Sequence, residues 1–137
     1  MKKIILSGII AAIASFAATM LVGYIFQAIF PSIKSEYENT AIFRPWTDPL
    51  MNIFWVYPFI FGITLAWVWD KVKGFFTGTL LNKALCFGIV YWVICTVPGM
   101  IMSLSSFKIS IIITISWTIS GFLQAFAAAL VFGKMNK

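Results

Sequence analysis

The sequence predicts an all-α membrane protein built as four antiparallel transmembrane helices in a small bundle. Composition is the first reason. Hydrophobic residues fill 61% of the 137 positions and charged residues only 10%, against about 25% charged in a typical soluble domain. The second is patterning. Apolar runs at Ile4–Phe30, Leu50–Trp69, Leu81–Ser103 and Ile109–Phe132 each hold a long stretch free of Asp, Glu, Lys and Arg. About 20 such residues suffice to cross a hydrocarbon core as a helix. The third is charge. Placing both termini in the cytoplasm puts Lys2, Lys3, Lys71, Lys73, Lys83, Lys134 and Lys137 inside and Lys34, Arg44 and Lys108 outside, a positive-inside bias. The predicted domain is thus 1–137, with helices 4–30, 50–69, 81–103 and 109–132, an outer loop 31–49 and an inner loop 70–80.

The first run begins like a signal peptide. Lys2 and Lys3 precede an apolar stretch, and Ala12-Ile13-Ala14 mimics a cleavage site. The run nevertheless continues unbroken to Phe30, so an uncleaved first helix is the expectation. Gly8, Ala12, Ser15, Thr19, Gly23 and Gln27 fall at helical spacing, a small-residue stripe of the kind that lets helices approach closely in lipid.

Thr47-Asp48-Pro49 opens the second helix, with Asp at the N-cap and Pro at the first helical position. Trp46, Trp55, Trp67 and Trp69 stand near its ends, as interfacial aromatics do. In the third run, Pro98 lacks an N–H and its ring opposes the carbonyl of Ile94, predicting a kink, with Pro98 and Gly99 as a hinge. Thr96 is placed to satisfy part of the freed backbone. Cys86 and Cys95 lie about 900° apart around this helix and about 13 Å apart along it, too far to bond. Buried free thiols are expected. The fourth run carries Ser110, Thr114, Trp117, Gly121, Gln124, Ala125 and Ala128 on one face, with Ser116 and Ser120 beside it. Together with the stripe of the first helix, this face is expected to form the bundle interface.

Phe75 and Phe76, flanked by lysines, place the inner loop on the headgroup layer. The outer loop mixes Glu36 and Glu38 with Arg44, Tyr37, Phe43 and Trp46, enough to fold back on the bundle or meet a partner. Asp70 opposes the dipole of its helix, and pairing with Lys71, Lys73 or Lys83 repairs this.

Several function classes lack raw material. The chain has no His and only four carboxylates, Glu36, Glu38, Asp48 and Asp70, so no metal site, no triad and no cofactor are expected. Its net charge of +6 sits singly or in pairs at the ends of apolar runs, which fits anionic lipid headgroups and argues against nucleic acid. Ser103, Ser105 and Ser106 lie near Lys108, but a Ser–Lys dyad is the weaker reading beside an ordinary polar loop.

In size and four-helix topology the chain is similar to the small multidrug resistance proteins. Those exchangers carry a membrane-embedded glutamate in the first helix, and here that helix has no acid. The expectation is therefore a non-enzymatic accessory or interaction protein of the cell membrane, contacting membrane lipids and either a membrane-protein partner or further copies of itself. The runner-up is a small homo-oligomeric transporter or channel. Its candidate site is a neutral polar pocket opening outward, formed by Gln27, Asn52, Thr96, Ser110, Thr114 and Gln124.

Overall fold

The computed structural model describes residues Met1–Asn136. Lys137, counted above on the inner side, lies outside the described residues. The described chain is helical and without strands, and four of its helical segments are long and apolar enough to cross a membrane. The first is α1 (Lys2–Ile29). A short α2 (Ser32–Tyr37) follows. The second long segment is a 3-10 turn (Pro49–Asn52), α3 (Ile53–Val72) and a further 3-10 turn (Lys73–Phe75). The third joins α4 (Leu80–Tyr91), a π-turn (Trp92–Thr96) and α5 (Val97–Ser106), and the fourth is α6 (Ile111–Met135).

Segment ends depart from the sequence reading for local reasons. α3 and its 3-10 turn run into the predicted inner loop, because Asp70 and the lysines after it mark an exit from apolar surroundings without breaking a helix. The Asp70–Lys73 pair at 3.4 Å links the last turn and is the repair anticipated for Asp70. α5 continues to Ser106, with the Ser103 and Ser105 hydroxyls donating to the carbonyls of Gly99 and Met102. α6 starts two residues later than predicted because Ser110 is its N-cap, its hydroxyl accepting from Ile113 N–H. Asp48 caps as anticipated: its carboxylate accepts the Leu50 N–H at 2.9 Å, with Pro49 at the first helical position.

Packing radiates from α1 and α6. α1 lies along both α6 and α3, and α4 lies along α6. The closest crossing is between α1 and α3, where a side chain on Gly62 would collide with the carbonyl of Gly8 and the backbone of Ala12. α3 and α4 meet through aromatic rings, Phe61 on Tyr91 and Trp69 on Phe87, the latter with centroids 5.3 Å apart. The core collects at the end of the molecule that holds both termini. There, Ala11, Ala66, Ala84, Ala125, Ala128 and Ala129 surround Leu65, Trp69, Phe87 and Phe132.

Two expectations are corrected. Trp69 is not interfacial but only 1% exposed, enclosed by Phe76, Phe87 and Phe132. Cys86 and Cys95 are not buried within the protein; both lie on its outer surface.

Candidate functional site

The small faces of α1 and α6 meet, and their polar groups engage one another. Ser15 Oγ donates to the Gln124 carbonyl at 2.9 Å, and Gln124 Nε2 donates to Thr19 Oγ1. Thr19 in turn donates to the Ser15 carbonyl, which closes a small network. Near the termini, Asn136 Nδ2 donates to Ser7 Oγ at 2.7 Å. Such bonds satisfy groups that would otherwise be buried without partners, each contributing about 0.5–1.5 kcal/mol net.

The six candidate pocket residues divide among separate structural duties. Gln124 belongs to the α1–α6 network just described. Ser110 caps α6 and receives a back-bond from the Thr114 hydroxyl on its own carbonyl at 3.0 Å. Thr96, buried in the π-turn, seats its side chain on the bare Cα of Gly121. Gln27 is half-buried near the end of α1, and Asn52 is exposed where α3 begins. The structure therefore brings Ser110 and Thr114 together on one turn, while Gln124 faces α1 and Asn52 faces outward.

The irregularity anticipated at Pro98 takes the form of the π-turn over Trp92–Thr96. The widened turn accommodates the missing N–H and the ring. It also turns Trp92 so that its indole N–H donates to the Thr118 carbonyl of α6 at 2.8 Å. Gly99 follows with open space beside it.

The segment after α1 folds back over the start of α6. Ile33 is buried, and Glu36 Oε1 accepts the Ser110 backbone N–H at 2.6 Å, placing a carboxylate at the positive end of α6. Tyr37 Oη accepts from Trp117 Nε1 at 2.8 Å, and Phe43 packs on both rings. Burial pushes the Tyr37 phenol above its ordinary pKa of 10.0, the Trp117 N–H opposing and the Glu36 charge adding to the rise. Beyond this cap, the Leu50 N–H and then Arg44 hold the Asp48 carboxyl below the usual range. The types Glu, Tyr and Phe in this segment signalled docking, but no local spacing revealed α6 as its target.

Chemistry is sparse among the described residues, with no group of three or more His, Cys, Asp or Glu placed to hold a metal ion. The hydroxyls of Ser103 and Ser105, the suggested nucleophiles, donate to their own helix. The fold and these sites define a class, a small all-helical protein with four apolar helical segments long enough for a membrane. No protein-family model matches the chain, and neither a curated protein nor a solved structure matches it significantly.

Proposed function

We propose that the protein is a multi-pass protein of the cell membrane, an antiparallel four-helix bundle with both termini in the cytoplasm, acting as a non-enzymatic accessory subunit. The membrane placement is supported by the four apolar segments and by an outer surface of exposed Ile, Leu, Phe and Trp side chains. Reversed contact order supports the antiparallel arrangement. Ser7 reaches Asn136 while Thr19 reaches Gln124, and Leu80 lies against Gly133 while Trp92 reaches Thr118.

One observation carries the accessory reading: α5 has no buried residue. Gly99 on that helix has open space beside it, and with the small Ser103 four residues on it offers a place for another backbone to approach. The polar faces of α1 and α6, by contrast, are already engaged with each other. Native mass spectrometry after mild extraction from the source membrane tests this. A stoichiometric complex with a different membrane protein, lost in Gly99→Leu, is the expected result. A homo-oligomer retaining a small solute would instead establish the transporter alternative and direct attention to Gln27, Asn52 and Gln124.

A further inference from the structure

A cavity of about 450 Å³ lies under the turn between α3 and α4, at the end that holds both termini. Trp69, Lys73, Gly78, Leu80, Lys83 and Asn136 line it. Gly78 has a φ of +93°, a backbone conformation glycine adopts freely, and this lets the turn arch over the space.

Among the described residues, two buried side-chain polar atoms lack any hydrogen-bond partner: Trp69 Nε1 and Asn136 Oδ1. Both residues are more than nine-tenths buried, and both line this cavity. An orphaned donor and an orphaned acceptor on two residues that line one space are costly to leave unmade. They match a ligand that offers an acceptor and a hydroxyl donor together.

The charge of the cavity selects the ligand further. Lys73 Nζ is shared between Asp70 at 3.4 Å and the Asn136 carbonyl. Lys83 is half-buried and, among the described residues, makes no ion pair. Leu80 begins α4, so the positive end of that helix borders the same space. An adjoining cleft adds Lys2, Lys3 and Lys134, with Asp70 as its one acidic lining residue among those described.

We propose that this cavity binds the phosphate ester of a polyol, its anion held by Lys73, Lys83 and the Trp69 indole N–H and a hydroxyl donating to Asn136 Oδ1. Two sources carry this chemistry, a glycerol-headed anionic phospholipid and free glycerol phosphate. The lipid source rests on the membrane placement proposed above; the free source does not.

The test uses full-length protein stripped of lipid in a non-ionic detergent. Native mass spectrometry measures retention of phosphatidylglycerol and of phosphatidylcholine, and calorimetry measures binding of glycerol phosphate. Wild-type protein is expected to retain phosphatidylglycerol over phosphatidylcholine. Lys83→Gln, at a half-buried and unpaired position, is expected to weaken binding about tenfold, the loss of one charge-assisted hydrogen bond. Trp69→Phe, which removes the N–H but keeps a ring, weakens it in the same direction. Lys108→Gln, the same charge change at the far end, leaves it unaltered. Binding of glycerol phosphate alone, with the same loss in Lys83→Gln, assigns the site to the free ester. Equal retention of both lipids without glycerol phosphate binding, or equal losses in Lys83→Gln and Lys108→Gln, overturns the proposal.

Discussion

The two ends of the molecule solve the same packing problem differently. At the end holding the termini, glycine and alanine let the helices close until Gly62 rests on the backbone of α1, and a few large rings fill what remains. At the opposite end the helices part. Val22 is the last buried residue of α1, Pro58 is the first buried residue of α3, and α5 has none. There α6 is covered by Tyr37 and Phe43 of the connecting segment, which substitutes for a neighbouring helix. Close approach thus depends on where small residues sit on both partners. Gly8 and Ala12 find Gly62 opposite them, whereas Gly23, on the same stripe, has open space.

The sharpest way to break this contrast is to hollow each end in turn. Trp69→Ala should cost about 3–5 kcal/mol, the usual loss for a buried aromatic, measured by denaturant or thermal unfolding in detergent. Trp55→Ala, at a ring 57% exposed, should cost well under half as much. Equal losses would mean that the two ends are packed alike.

A smaller effect tests the substitute cover. Glu36→Gln weakens a charge-assisted bond to Ser110 and should cost about 1 kcal/mol. Faster proteolysis between residues 38 and 48, with the helices still protected, would check that the loss is local. The pH response has a definite sign. Because burial raises the Tyr37 pKa, the docked segment holds its phenolic proton more tightly than the free chain does. Its contribution is full below pH 10.0 and is lost as pH rises from there through the raised value. Tyrosinate absorbance, compared between wild type and Tyr37→Phe, should place this residue's titration above the ordinary one. Smallest of all, Gln124→Leu should cost about 0.5 kcal/mol, the lower end of what one neutral hydrogen bond contributes net.

Much of the fold was legible because it depends on local chemistry. Uncharged apolar runs marked the long segments, Asp48-Pro49 marked a cap, and the Gly8–Ala12–Ser15–Thr19 stripe marked a packing face of α1, although only Ser15 and Thr19 meet α6 while Gly8 and Ala12 meet α3. What was hidden depends on distant partners. Trp69 beside Asp70 and Lys71 looks interfacial until Phe76, Phe87 and Phe132 close around it. Gly62 has a single small partner at helical spacing, Ala66, too short a stripe to name its target, and the closeness of its packing is explained only by α1. Of the candidate pocket residues, Ser110 and Gln124 have partners 74 and 109 positions away in Glu36 and Ser15, separations that no local pattern encodes. The orphaned atoms of Trp69 and Asn136 likewise emerge only when the turn after α3 is placed over them.

The most direct test of the two-ended account is one substitution made twice, Gly62→Ala and Gly23→Ala, with unfolding free energies measured under the same conditions. A methyl at Gly62 has backbone in its way, so that variant should lose about 1–3 kcal/mol or more. A methyl at Gly23 meets nothing, so that variant should be unchanged or gain about 0.5–1 kcal/mol from the better helix former. Equal destabilisation of the two, or a tolerated Gly62→Ala, would contradict the account.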